Sequence, residues 1–164
     1  MKGLKYTAIA LSALLLVMLG LVGYLFLTAE VQVVEVSAKG VSSASDLAGF
    51  EALRDSIQND TFYGTLYQKP HEWKDASEYV LLTYKLRLRN NCLVPIDMIE
   101  VQVVPQSTDI AQLPSLTVKS LDMKSEGEYE VQILTARESH SVRELLVSFY
   151  LWGVSGNVKT VCGK

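Results

Sequence analysis

The chain has 164 residues, of which 18 are acidic and 15 are basic, and 49% are hydrophobic. This is the composition of a globular protein, and it excludes a disordered chain. Without residues 1–29 the net charge changes from −3 to −5, because this segment contains Lys2 and Lys5 but no acidic residue. We therefore expect one domain in 30–164, and this acidic domain offers no basic face for nucleic acid.

The N-terminal segment has the composition of a membrane anchor. Residues 6–27 form a run of 22 residues without a charged side chain. A helix of about 20 apolar residues crosses a hydrocarbon core of roughly 30 Å, and only a helix satisfies its own backbone there. Tyr6 and Tyr24 lie near the two ends of the run, where aromatic rings favour the membrane interface. The sequence therefore predicts one transmembrane helix.

The flanking charges predict how this helix is oriented. Lys2 and Lys5 precede it and Glu30 follows it. The positive-inside rule then predicts a single-pass protein of the cell membrane, with residues 1–29 as cytoplasmic stub and anchor and 30–164 outside the cytoplasm. The alternative is a cleaved signal peptide, whose apolar region is normally about 7–15 residues long. The longer run, and Leu27 where a cleavage site would need a small residue, favour the uncleaved anchor.

Beyond the anchor, apolar residues alternate with polar ones, which is typical of strands with one wet face. The clearest case is 78–89, and 143–152 is apolar on both faces, as in a central strand. One helix is predicted over 46–58, capped by Ser45 or Asp46. Pro105 and Pro114 bracket a loop, and 153–156 forms a hairpin. The other predicted strands are 31–36, 61–67, 96–104, 116–121, 129–133 and 157–162.

Eight strands and one short helix, connected by short turns, predict a mainly β, antiparallel sandwich in a single domain. Within 79–105, two strands flank the pattern Asn-Asn-x-x-x-Pro, and 121–133 has a glycine-containing turn before an alternating strand. Both segments resemble bacterial immunoglobulin-like modules of the cell-adhesion-related and late-embryogenesis-abundant-like kinds. The resemblance implies an immunoglobulin-like β-sandwich that serves as a spacer or binding domain at a cell surface, and it implies no catalytic residues.

Cys92 and Cys162 are the only cysteines. Outside the membrane they meet an oxidising environment, and an even number permits a disulfide bridge. The alternative is a pair of free thiols. Because the distance between them cannot be read from the sequence, both possibilities stay open.

Other reactive side chains are too dispersed to predict a catalytic centre, a cofactor or a metal. His71 and His140 are far apart in polar loops, whereas a helical zinc pair is four residues apart. Glu126, Glu128 and Glu130 alternate along one strand, but a glycosidase needs two carboxylates across a cleft. We expect them to form a solvated face, paired with residues 85, 87 and 89 if those strands are neighbours.

Three aromatic residues are candidates for an interaction surface, namely Tyr63, Tyr67 and Trp73. Exposed rings anchor interfaces, although filling of the core is the alternative. Trp73 is the most unusual, because it stands among charged residues. Two functions follow as hypotheses. The first is a membrane-tethered extracytoplasmic binding or structural module without catalytic activity, with a protein partner in the cell envelope. The second is a small cell-surface hydrolase acting on a sugar or peptide.

Overall fold

The computed structural model describes residues 2–115, 119–139 and 141–162. Its first element is the helix α1, Lys2–Leu27. Within it, Lys5–Leu25 is long and apolar enough to cross a membrane, and it is the one such helix among the described residues. None of this span is buried against the rest of the chain. The predicted apolar helix is therefore confirmed, whereas its orientation stays a prediction.

The remainder is mostly strand, and a second helix, α2, covers Leu47–Gln58. The strands form two antiparallel sheets with the orders β1-β3-β7-β5-β2 and β6-β4-β8-β9. Their bounds are β1 Val31–Ser42, β2 Thr65–Leu66, β3 Tyr79–Asn90, β4 Ile96–Val103, β5 Asp109–Gln112, β6 Lys119–Leu121, β7 Glu126–Ala136, β8 Arg143–Leu151 and β9 Val154–Cys162.

The antiparallel β prediction is confirmed, with corrections to its elements. The described residues form nine strands rather than eight, and the first continues beyond the predicted 31–36 to Ser42. The predicted loop between the two prolines contains β5, which pairs with β7 and β2. The hairpin turn lies at Trp152 and Gly153 rather than at 153–156, since Leu151 pairs with Val154. The predicted strand 61–67 shrinks to the two residues of β2. Residues 116–118 of another predicted strand lie outside the described residues, and the rest of that strand is β6.

Two hydrophobic cores hold these elements. The larger lies between the two sheets and includes Tyr84, Leu88, Ile133 and Val147. Their side chains are removed from water almost completely, and burial of each such side chain stabilises the fold by about 1.5–3 kcal/mol. The smaller core lies where α2 covers one end of the first sheet's outer face, and it is built around Phe50 and Ile57.

The start of α2 follows from its capping residue. The Asp46 carboxylate accepts a hydrogen bond from the Gly49 N–H at 3.0 Å, which satisfies a backbone donor that the helix leaves unpaired. Ser45 donates instead to the Ser42 carbonyl at 2.6 Å. Of the two predicted caps, Asp46 is therefore the one observed.

Candidate functional site

Tyr67 and Gln112 connect the two sheets at the edge of β4. The Tyr67 hydroxyl contacts the Val103 carbonyl and Gln112 Oε1, each at 2.9 Å. Gln112 Oε1 also accepts from the Val103 N–H at 2.9 Å, and its Nε2 donates to the Val101 carbonyl at 3.1 Å. A side chain of one sheet thereby satisfies the backbone edge of the other. Burial raises the pKa of Tyr67 to about 12, so its hydroxyl stays protonated.

Trp73 belongs to the smaller core. It is half-buried and meets the Phe50 ring edge-on, with centroids 5.9 Å apart, and the Tyr79 ring at 5.5 Å. These distances are typical of stabilising aromatic pairs. Among the described residues its ring N–H has no hydrogen-bond partner. The two aromatic side chains therefore have different roles. The Trp73 ring fills the smaller core, whereas the Tyr67 hydroxyl contacts the backbone at the edge of a sheet.

Tyr63 differs from both, because its side chain is 93% exposed. It lies at the rim of a groove of about 570 Å³ that runs from β2 and the end of β5 to β4 and β8. Met98 and Tyr150 also line this groove, and Met98 is 61% exposed. Met98 occupies a bulge in β4, where φ is 51° and the register with β8 shifts. Bulges of this kind re-aim a side chain away from the sheet.

The two cysteines are free thiols in this structure, and both are buried. Cys162 pairs with Arg143 at the start of β8, whereas Asp97, shortly after Cys92, pairs with Tyr150 near the end of β8. The seven residue steps from Arg143 to Tyr150 along β8 span roughly 23 Å at the strand rise, while a disulfide needs Cα atoms within about 7 Å. The register therefore places the thiols at opposite ends of the sandwich and does not bring them together.

The acidic residues of β7 lie opposite the basic residues of β3, as the hypothesis of a solvated face requires. Glu130 is 3.5 Å from Lys85, Glu128 is 3.6 Å from Arg87, and Glu126 also pairs with a cation of β3. Because both partners of each pair are exposed to solvent, each pair stabilises the fold by about 0–1 kcal/mol. These carboxylates lie beside their cations along one face of a sheet rather than across a cleft.

The strongest electrostatic feature is a buried ion pair that the sequence analysis missed. Asp109 and Arg143 have fully buried side chains. Arg143 donates through Nε at 3.0 Å and through a terminal nitrogen at 2.7 Å, which is the bidentate geometry of strong pairs. Burial alone would raise the pKa of Asp109, but hydrogen bonds from Arg143, the Gln106 N–H and Thr135 outweigh it and hold the pKa below its usual value.

This pair has the chemistry of a structural tie. Both carboxylate oxygens of Asp109 are occupied by donors, and Arg143 also donates to the Val142 carbonyl at 2.8 Å and to the Ser139 hydroxyl. A carboxylate held ionised and closed to solvent is not placed to exchange a proton with a substrate. The one signal of this ion pair in the sequence is a single arginine, Arg143, at the start of an apolar strand.

Metal-binding groups do not cluster in the part of the chain that is described. Within residues 2–115, 119–139 and 141–162, no three His, Cys, Asp or Glu side chains are placed to share a metal ion. His71 is exposed, and the predicted loop histidine His140 lies outside the described residues. Among the described residues, the groove beside Tyr63 is one of several open concave regions of the surface. The chain matches no protein-family model, and no curated protein is significantly similar to it.

Proposed function

We propose that this protein is a membrane-tethered, extracytoplasmic binding module with an immunoglobulin-like sandwich, and that it works by holding a protein partner rather than by catalysis. The observation that carries the proposal is the exposed Tyr63 ring beside an open groove, on a domain joined to an apolar helix. The partner is another protein of the cell envelope.

Strand arrangement supports the immunoglobulin-like assignment. Such sandwiches place strands A, B, E and D in one sheet and C, F and G in the other. The orders β1-β3-β7-β5 and β4-β8-β9 correspond to these two sets. The chain departs from that plan in two ways: β5 precedes β6, and α2 with β2 is inserted between the first two long strands.

A short connection between α1 and the sandwich supports the tether. Only residues 28–30 separate Leu27 from β1. Ala29 packs against the larger core, and the Glu30 carbonyl accepts a hydrogen bond from the Asn91 N–H at 2.9 Å. These contacts attach the end of the helix to the domain. If α1 spans a membrane, the sandwich is therefore held at the membrane surface.

The residues of the groove support a protein as partner. Tyrosine and methionine are enriched at protein interfaces, and tyrosine buries a large ring at a small cost in conformational entropy. The groove offers Tyr63, Met98 and Tyr150 together, with the exposed polar residues Glu100 and Ser155 beside them. An apolar centre with hydrogen-bonding groups around it is the usual anatomy of such an interface.

Site-specific photo-crosslinking in membranes of cells that produce the full chain tests this function. Tyr63 is replaced by benzoylphenylalanine, and the matched control carries the same group at Lys39, which is exposed on β1 at the opposite edge of the first sheet. We expect one discrete protein adduct from position 63 and none from position 39. The absence of an adduct from position 63, or turnover of a sugar or peptide by the purified chain, contradicts the proposal.

A further inference from the structure

Three loops lie at the end of the sandwich where α1 joins it. We call residues 91–95, 122–125 and 152–153 the tether-end loops. Asn90 pairs with Val31, the first residue of β1, and the Asn90 N–H donates to the Ser125 carbonyl at 2.9 Å. Asp97, just after the first loop, pairs with Tyr150, just before the third. The register therefore gathers all three loops around the point where the helix ends.

Each tether-end loop presents a large apolar side chain to solvent. Leu93 is 51% exposed, Met123 is 60% exposed and Trp152 is 51% exposed. At the opposite end of the domain, the connection between β7 and β8 presents the charged residues Arg137 and Glu138 and a single exposed apolar residue, Val142. Exposed apolar residues grouped on one end of a domain mark a surface that something covers.

Trp152 occupies a position that the backbone alone disfavours. Its φ is 50° and that of Gly153 is 78°, so both central residues of this two-residue hairpin turn are left-handed. Asn, Asp or Gly is preferred at the first of these positions, because a left-handed backbone costs other residues roughly 1–2 kcal/mol. A tryptophan is therefore unusual at this position, and its side chain is half-exposed at this end of the domain.

The length of the connection identifies what lies opposite these loops. Residues 28–30 span at most about 11 Å even when fully extended, and the contacts of Ala29 and Glu30 with the domain shorten that reach. The polar headgroup layer is roughly 5–8 Å thick on each side of a bilayer. A helix inserted through the bilayer therefore holds the tether-end loops at the depth of the headgroups.

We propose that the tether-end loops rest on the same bilayer that α1 spans, with Leu93, Met123 and Trp152 inserted among the lipid headgroups. This inference rests on the proposed tether. Tryptophan favours this interfacial layer, where its ring is apolar and its N–H finds a polar partner. Lys124, which lies beside Met123 and contacts the Asn91 carbonyl, brings a cation to the same layer. The contact fixes the angle at which the groove is presented above the membrane.

Tryptophan quenching by brominated lipids tests the contact, because the chain has two tryptophans in different places. The full chain is reconstituted in nanodiscs of phosphatidylcholine, with bromine atoms near the headgroup end of the acyl chains. Trp73→Phe leaves Trp152 as the reporter and loses no hydrogen bond described for the ring. Trp152→Phe leaves Trp73 as the matched control, because this ring lies in the smaller core with Phe50 and Tyr79. Urea unfolding of each variant verifies that the domain is folded.

We expect the brominated lipid to remove about half of the Trp152 emission and to leave the Trp73 emission nearly unchanged. Met123→Glu lowers the quenching of Trp152 at least about twofold, since a carboxylate resists transfer out of water. Unquenched Trp152 in a chain that stays bound to the nanodisc overturns this inference and leaves the tether standing; a blue-shifted but unquenched emission does the same and indicates a protein contact. Loss of the chain from the nanodisc overturns the tether, and the inference with it.

Discussion

Asp109 on β5 and Arg143 on β8 form a bidentate ion pair between the two sheets, and neither side chain is exposed to solvent. The two residues are 34 positions apart in sequence, so the pair closes a long loop between β5 and β8. Because removal of one partner leaves the other charged and buried, this contact makes the packing of the sheets sensitive to single substitutions.

Asp109→Asn should lower the free energy of unfolding by about 3–5 kcal/mol, because Arg143 is left buried without its counter-charge. The double variant with Asp109→Leu and Arg143→Met should lose much less, since it buries no charge at all. Urea unfolding of the full chain in mild detergent, followed by tryptophan emission, measures both. A double variant as unstable as Asp109→Asn would contradict this account of the pair.

The same carboxylate should make the fold sensitive to acid. The pKa of Asp109 lies below its usual value in the folded protein, whereas in the unfolded chain it is about 3.9. Its contribution to stability is therefore complete above the unfolded pKa and is lost as the pH falls through the folded pKa. Between pH 5 and pH 3, each about one unit from the unfolded value, the wild type should lose more stability than the double variant that lacks the ion pair. Equal losses in both proteins would show that other groups govern acid unfolding.

Asn90 should be the most sensitive residue of those that hold the tether-end loops. It is fully buried, the two hydrogens of its amide are shared among the carbonyls of Val94, Leu121 and Asp122, and its oxygen accepts from the Cys92 N–H. Asn90→Ala removes these hydrogen bonds and should lower the free energy of unfolding by at least about 2 kcal/mol.

The neighbouring substitution Asn91→Ala is the matched control, because the hydrogen bonds described for Asn91 are made by its main chain. It should change the unfolding free energy by less than about 0.5 kcal/mol. Equal effects at the two positions, measured by the same urea unfolding, would contradict the role given to the Asn90 side chain.

The charged face of the first sheet should contribute little. Arg87 lies 3.3 Å from Glu35 and 3.6 Å from Glu128, but all three side chains are largely exposed. Arg87→Gln should therefore lower the unfolding free energy by less than about 1 kcal/mol. The difference should shrink further when the ionic strength is raised to about 1 M, where charges are screened within about 3 Å. A larger loss of unfolding free energy that persists in high salt would show that Arg87 stabilises the fold by more than exposed ion pairs.

Features set by local pattern could be predicted from the sequence. The apolar run became α1, Asp46 caps α2, and the alternation over 78–89 became β3 with its cations opposite the carboxylates of β7. For α1, the cap of α2 and the alternation of β3, the residues concerned are near in sequence or share one strand period. The bridge of Arg87 to Glu128 was predicted only on the condition that their strands are neighbours, and the pairing of β3 with β7 meets that condition.

What could not be predicted depends on contacts between distant elements. The segment Asp109–Gln112 has four buried residues, two of them polar. Polar residues in so short a segment predict a loop, because the sequence does not reveal the distant groups that bind them in the core. Arg143 satisfies Asp109, and the edge of β4 satisfies Gln112. The turn at Trp152 was missed for a similar reason, since turn chemistry alone places a glycine or asparagine there.

The most direct test of the tethered module is the side of the membrane on which the sandwich lies. Cys92 and Cys162 are buried, so a new cysteine in the exposed loop, Glu72→Cys, reports on topology in intact cells treated with a membrane-impermeant maleimide. We predict that Glu72→Cys is labelled before the cells are broken, whereas Lys2→Cys is labelled only afterwards. Labelling of Lys2→Cys in intact cells, with Glu72→Cys protected until lysis, would place the sandwich in the cytoplasm and contradict the account.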